Sequence, residues 1–324
     1  FPYTTLFRSL SFFLYPSLSF SILPDTRHSD ETIDSSSEQV HSTQVSDGES
    51  SPAKDKSEES FSTNDKDSKN SVPMNFVSLG SKEKSYAIVV EKKKHLLTVF
   101  ELNGQDSYEP IKTFRAITGK GRGVKKVRGD NNTPEGIYFI TNVKEKRDLF
   151  RAYGYASKKY GPKAFVLDYP NIFDERLRKT GGGIWIHGVE NERRTLNPFD
   201  TEGCVALTNS DVLELTKYIE NFETPVIIVS ELATTSLDSI VEQRNDVLKR
   251  LEEWRAAWEK SDFSLYQSFY SKDFKALGKH KKKWLKFKNR ISDLTKGKIK
   301  VVLSEPKILR FENAFNGVDD CNPS

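Results

Sequence analysis

The sequence predicts a mainly β domain with one packed helix, followed by a smaller α+β domain, and three observations predict it. Short apolar or alternating runs, punctuated by Gly, Asn, Asp and Pro, recur from Tyr86 to Val229. A single segment within that span, Asn209 to Asn221, carries apolar residues at helical spacing. After Ser230 the pattern switches to long stripes of period near 3.6 and then returns to two short apolar runs.

The elements follow in order. Residues 1–28 open with an adapter-like stretch, Pro2 to Ser9, and an apolar run from Leu10 to Leu23 that Pro16 and several serines interrupt. Fourteen residues fall short of the roughly twenty that span a bilayer, so the run reads as an artefact or the remnant of a signal segment, not as a membrane span. Residues 29–80 read as a Ser-rich linker. Ser fills 13 of the 43 positions from Ser29 to Ser71, too little apolar surface to offset the entropy of ordering.

From residue 81 the reading changes. Tyr86–Val90 and Leu96–Phe100 flank a Lys-Lys-Lys-His turn as a hairpin, and Ile111–Ile117, Ile137–Ile140, Ala164–Tyr169, Ile184–His187 and Pro225–Val229 continue the strands. The helix after Leu207 has Val212, Leu213, Leu215, Tyr218 and Ile219 on its stripe, with Asn209 or Ser210 as its cap. This β unit is bounded at 81–232.

The second unit, 236–316, opens with an amphipathic helix from Leu237 to Lys260, whose stripe includes Ile240, Val247, Leu251, Trp254 and Trp258. Shorter helices follow at Phe263–Tyr270 and Lys279–Leu294, the last with Trp284, Phe287, Ile291 and Leu294 on one face. The lysines Lys279, Lys281, Lys282, Lys283, Lys286 and Lys288 then fall on its solvated face. Ile299–Leu303 and Ile308–Phe311 read as strands, and 317–324 as a tail.

Composition excludes some functions. A formal net charge of +4 from 50 Lys and Arg against 46 Asp and Glu, without a basic stripe interleaved with aromatics, does not point to nucleic acid. No set of Cys and His stands at metal-ligand spacing, so no zinc site is expected.

One pair carries chemistry. Cys204 lies in Thr201-Glu202-Gly203-Cys204-Val205-Ala206-Leu207, seventeen residues after the His187 of Ile184-Trp185-Ile186-His187-Gly188. His28 and His41 lie in the polar tract, His95 in a Lys-rich turn and His280 in a Lys run, and Cys321 is the fourth residue from the end. A thiol with pKa near 8.5 needs a nearby base to react at neutral pH, and an imidazolium beside it would raise its thiolate fraction.

Strand, His-Gly, a loop, then Ser/Thr-x-Gly-Cys and an apolar residue resembles the YkuD-type L,D-transpeptidases, and Asn132-Thr133-Pro134-Glu135-Gly136-Ile137-Tyr138 is similar to their Thr-Pro-x-Gly-x-aromatic element. The resemblance covers about Ser85 to Glu231 and is closest to the YafK-like branch. It implies a β-sandwich with one packed helix, periplasmic or other extracytoplasmic location, and peptidoglycan stem peptides as partner. It also implies a thioester on Cys204, with His187 as general acid and base and the Gly188 carbonyl orienting its ring, acylation of that thiol by carbapenems, and no metal or organic cofactor. The oxyanion is expected at the backbone N–H groups of Gly203 and Cys204, with Glu202 beside them. Thr201, Trp185, Arg193, Arg194 and Asn209 are the candidate substrate contacts, although Trp185 reads first as core and the two arginines as solvated loop charge. Many members carry Arg or Asn two residues after the nucleophile, where this chain has Ala206. Hydrolysis of the same thioester, as in an L,D-carboxypeptidase, is the alternative, and a non-catalytic wall-binding protein the second. Papain-like enzymes place Cys before His, and sortases need a longer interval and a following arginine.

The second unit, with Trp254, Trp258 and Asp262 at its first turn, resembles the nuclear transport factor 2-like or SnoaL-like α+β cone. Such a cone usually has more strands than follow here, so it is expected to be incomplete.

Overall fold

The computed structural model describes residues 71–80, 84–104, 107–272, 274–276, 278–295, 299–303 and 306–311, with the strand segments Phe12–Tyr15 and Leu18–Ile22. The adapter-like stretch, most of the Ser-rich linker and the tail lie outside the described residues.

Eight strands form one mixed sheet: β1 (Ser85–Glu91), β2 (Leu96–Leu102), β3 (Tyr108–Arg115), β4 (Gly136–Glu145), β5 (Lys163–Leu167), β6 (Trp185–His187), β7 (Val205–Ala206) and β8 (Pro225–Val229). Their order across the sheet is β7-β6-β5-β4-β8-β1-β2-β3. The β6/β7 and β8/β1 pairs are parallel and the others antiparallel.

Both faces of this sheet are covered, which is why its central strands read as continuous apolar runs and not as strict alternation. Two short helices, α1 (Lys146–Tyr153) and α2 (Ile172–Arg176), follow β4 and β5. Successive side chains point to opposite faces. Ile88, Val90, Tyr138, Ile140, Val226 and Ile228 go to one core with Val212 and Leu215 of the packed helix α3 (Asn209–Leu215). Ala87, Val89, Ile137, Phe139 and Ile227 go to the other, with Ile240, Val247, Leu251, Trp254 and Trp258 of the long helix α4 (Leu237–Glu259). The mainly β unit and the α+β unit therefore share one hydrophobic core.

The C-terminal helices form close to where the apolar stripes place them: α4, then α5 (Phe263–Ser268) and α6 (Lys281–Thr295). The strands Ile299–Leu303 and Lys307–Arg310 follow, pairing with Leu18–Ile22 and Phe12–Tyr15 respectively.

Three expectations are corrected. Residues 71–80 do not belong to a linker. Ser71–Pro73 pairs with Thr234–Ser236, and Phe76–Ser78 with the Lys307–Arg310 strand, because Phe76, Val77 and Leu79 bury almost completely against α4 and the sheet. Helix α6 is rotated from its expected face: Trp284, Leu285, Lys288 and Ser292 are buried, while Phe287 is 41% and Leu294 73% exposed. Lys288 leaves the solvated face because its ammonium lies 4.9 Å from the Trp258 ring centre and 5.0 Å from that of Trp284, where the aromatic faces attract a cation. Burial lowers its pKa to about 8. Helix α3 is capped by Thr208, whose hydroxyl accepts from the Asp211 N–H at 3.1 Å, and not by Asn209 or Ser210.

Candidate active site

The register of β6 and β7 builds the site. Ile186 pairs with Val205 and His187 with Ala206 in parallel, and the Leu207 N–H donates to the His187 carbonyl at 2.9 Å. Cys204 is the residue just before β7. The two-residue period of a strand puts it on the same face as Ala206, and hence as His187 across the ladder. Backbone bonds between Ala206 and Ile117, at 2.8 and 2.9 Å, fix the other side of β7.

Each side chain is then held locally. His187 is buried, 5% exposed, and its Nδ1 lies 2.5 Å from the Gly188 carbonyl oxygen. A carbonyl can only accept, so Nδ1 carries the proton and Nε2 is the basic nitrogen. The Tyr160 ring meets the imidazole edge-on at 5.1 Å between centres, and Trp185 packs against Tyr160 at 4.7 Å with the rings tilted by 44°. Gly188 has no room for a side chain: a Cβ there would fall 2.4 Å from Asn209 Oδ1 and 2.8 Å from Pro162 Cδ.

Cys204 is a free thiol, half-buried, against the cluster of Leu149, Ala164 and Trp185. Its Sγ lies 3.4 Å from the Gly183 carbonyl and receives a hydrogen bond from the Trp185 backbone N–H. The turn before it needs glycine. Gly203 has φ +124°, and a Cβ there would be 2.8 Å from the Asn132 carbonyl oxygen. Thr201 braces the turn by donating its hydroxyl to the Cys204 carbonyl at 2.7 Å and accepting from the Gly203 N–H at 3.2 Å.

The electrostatics favour a neutral pair. Burial pushes the Cys204 thiol up to about 11, against weaker lowering by the Trp185 hydrogen bond and the charge of Lys159. Burial likewise pulls His187 down to about 4; the Gly188 bond opposes this, and the positive charges of Arg194 and Lys159 add to it. The sequence suggested a thiolate beside an imidazolium. In the free protein, desolvation disfavours both charged forms.

The pair opens on a cleft of about 660 Å³, lined among others by Lys120, Lys125, Arg128, Lys159, Tyr160 and Glu202. Of the candidate contacts, Thr201 and Arg194 line it, as does Glu202 from the expected oxyanion turn. Arg194 is turned to Asp200, its Nε 2.6 Å from Oδ2 and its Nη2 2.9 Å from the carbonyl. Arg193 is not among the lining residues, and its N–H donates to Asn191 Oδ1. Trp185 is buried behind Tyr160. Asn209 acts as a strut, its Oδ1 accepting from the Val189 N–H at 2.9 Å. The Gly203 N–H is occupied by Thr201, which leaves the Cys204 N–H as the remaining expected oxyanion donor.

Sequence reasoning did not single out the loop from Gly119 to Asn132, which supplies Lys120, Lys125 and Arg128. Asp130 ties it, accepting from the Lys126 and Val127 N–H groups at 2.7 and 3.0 Å and from Lys125 Nζ at 2.8 Å. The Thr133-Pro134-Glu135-Gly136 element anchors it. The buried Lys92 ammonium donates to Gly123 O, Thr133 O and Glu135 at 2.7, 3.0 and 3.1 Å, which satisfies a charge that would otherwise be costly to bury. The available signal was a run of cations closed by a single acid. Among the described residues no group of three or more His, Cys, Asp or Glu is placed to hold a metal ion.

Compared with known families, residues 85–228 match YkuD, the L,D-transpeptidase catalytic domain, and residues 246–318 match Cds6_C, the Cds6 C-terminal NTF2-like domain. Among solved structures, Bd1075 of Bdellovibrio bacteriovorus is similar at 34% identity and a TM-score of 0.63, covering 75% of this chain and 83% of its own. The helical cell shape determining protein Pgp2 of Campylobacter jejuni is similar at 28% identity and a TM-score of 0.50, covering 68% of this chain and 74% of its own. A comparison with curated proteins gives no match.

Proposed function

The chain belongs to the YkuD L,D-transpeptidase family, and from that premise we propose that it acts on peptidoglycan stem peptides through a thioester on Cys204. The observation that carries this reading is the parallel ladder that sets Cys204 and His187 on one face at the floor of a cleft, with His187 Nδ1 committed to Gly188.

The steps follow from the neutral pair. As Cys204 Sγ attacks the carbonyl carbon of the scissile amide, its proton passes to His187 Nε2, so no free thiolate has to form in advance. The oxyanion is met by the Cys204 N–H. The carbon–nitrogen bond then breaks, the proton on Nε2 goes to the departing amine, and the thioester remains. An incoming amine or water gives a proton to Nε2 and attacks. The carbon–sulfur bond breaks, and that proton returns to sulfur.

Transfer to an amine makes a crosslink, and transfer to water trims the stem. Ala206, in place of the arginine or asparagine common in the family, keeps trimming as the second reading. An extracytoplasmic location fits either. No helix among the described residues is long and apolar enough to cross a membrane.

The test is incubation of the full chain with purified muropeptides, read by mass. Joined stems support transfer and shortened stems support hydrolysis, and either should disappear in Cys204→Ala with the fold retained. Unchanged muropeptides together with no covalent carbapenem adduct on Cys204 would overturn the enzymatic reading and leave a wall-binding protein.

A further inference from the structure

Between Lys279 and Arg290 the chain carries seven Lys and Arg and no Asp or Glu in twelve residues, although its whole length has a formal net charge of only +4. The fold uses three of these cations. Lys281 Nζ donates to the Tyr270 carbonyl at 2.6 Å, Lys288 lies against Trp258 and Trp284, and Lys279 lies 5.4 Å from the centre of the Phe287 ring. Lys282, Lys283, Lys286 and Arg290 are exposed, and none of them forms an ion pair with another described residue.

Helical geometry gathers these charges. Lys282, Lys286 and Arg290 stand at every fourth position of α6, a row that ends at Leu294, and Lys283 and Phe287 form the neighbouring row. Asp293 is the only acid on the helix, and it accepts from Asn289 Nδ2 at 3.1 Å. Like charges four residues apart repel and weaken a helix, so an anionic partner over this face would stabilise it.

The two apolar groups on this face select the partner. Phe287 is 41% and Leu294 73% exposed, although the same helix buries Lys288. A dissolved polyanion would take up the charges and leave both apolar side chains in water. A bilayer with anionic headgroups offers a phosphate layer for the cations and an acyl boundary beneath it for the phenyl ring and the leucine. Helix α6, ~22 Å long, can lie flat on such a surface.

We propose that the exposed face of α6 docks on the surface of a bilayer containing anionic phospholipid, with Lys282, Lys283, Lys286 and Arg290 at the headgroup phosphates and Phe287 and Leu294 at the acyl boundary. The contact is peripheral and does not depend on the reaction at Cys204.

The experiment is co-sedimentation of the full chain with two kinds of vesicle, phosphatidylcholine alone and phosphatidylcholine mixed with phosphatidylglycerol. Binding is expected to the mixed vesicles only, and it should weaken as salt is raised. Lys282→Gln, Lys286→Gln and Arg290→Gln combined should weaken it roughly a hundredfold, at about fivefold for each cation removed. Phe287→Ser and Leu294→Ser leave the charge unchanged, and each should weaken binding by roughly tenfold. Circular dichroism checks that the variants keep the fold. A control that removes three exposed lysines from the β unit, Lys146→Gln, Lys158→Gln and Lys217→Gln, should bind nearly as well as the native chain. Binding to neither vesicle, equal binding to both, or an equal loss in the control would overturn the assignment. Unchanged binding by both serine variants would also overturn it, and tight binding of inorganic polyphosphate to the same face would then make a dissolved polyanion the occupant.

Discussion

Protonation of His187 should cost the fold a measurable part of its stability. The ring is 5% exposed, and its pKa is pulled from an ordinary 6.5 to about 4, first by burial and then by the charges of Arg194 and Lys159, against the raising effect of the Gly188 bond. Between those two values the unfolded chain binds a proton at this position that the folded chain refuses. Stability therefore rises with pH across the window; the contribution is complete above 6.5 and is lost as pH falls to about 4. At about 1.4 kcal/mol for each pH unit, the gap from 6.5 to about 4 amounts to about 3 kcal/mol. The assay is urea unfolding of the native protein and of His187→Gln at several pH values from about 7.5 down to about 4. Glutamine does not titrate, so the advantage of the native protein over the variant should shrink by about 3 kcal/mol across the series. Two stability curves that stay parallel would refute the reasoning, since they would mean that the folded ring accepts its proton as readily as the unfolded one.

The same desolvation sets the activity profile: kcat/KM should be flat between limbs near about 4 and about 11, and a narrow bell with both limbs between about pH 6 and 9 would argue for a preformed ion pair. Thr201→Val keeps the side-chain volume but removes the hydroxyl that holds the Cys204 carbonyl and the Gly203 N–H. Turnover should fall roughly tenfold or more, with a stability loss of about 1–3 kcal/mol, and unchanged kcat would show that the brace does not position the thiol. Trp258→Ala should cost about 3–5 kcal/mol, and sheet and helix signals should still melt together because both units share its core. Two separated transitions would contradict the shared core.

The elements that were legible in the sequence are those whose burial imposes a period. The hairpin of β1 and β2 shows in its two apolar runs and its Lys-Lys-Lys-His turn, and α4 in the spacing of Ile240, Val247, Leu251, Trp254 and Trp258. Cys204 and His187 were legible because each adjoins an apolar strand, and short strands next to reactive residues leave few places for them to go. The cationic wall was not, because the Gly119 to Asn132 loop has no period and is folded by Asp130 and by Lys92, a residue about thirty positions upstream. Lys288 was misplaced because a helical pattern assigns every lysine to water, and only the three-dimensional approach of Trp258 and Trp284 gives its ammonium a face to rest on. The ordered segment at 71–80 was hidden by brevity: Phe76, Val77 and Leu79 are too few to register beside a long Ser-rich tract. Thr208, Asn209 and Ser210 can all cap a helix, and the competing demand of the Val189 N–H on Asn209 decided among them.

The imidazole hangs from one rung of a ladder and the thiol from the residue just ahead of that ladder, and of the residues between them Gly188, Thr201 and Gly203 share the work of placing them. Segment 190–198 can lengthen, shorten or change its charges without prising the two groups apart, provided the Ile186 and Val205 rung holds. New preferences for what enters the cleft can therefore be acquired in that segment and in the cationic loop, while the reacting atoms keep their places.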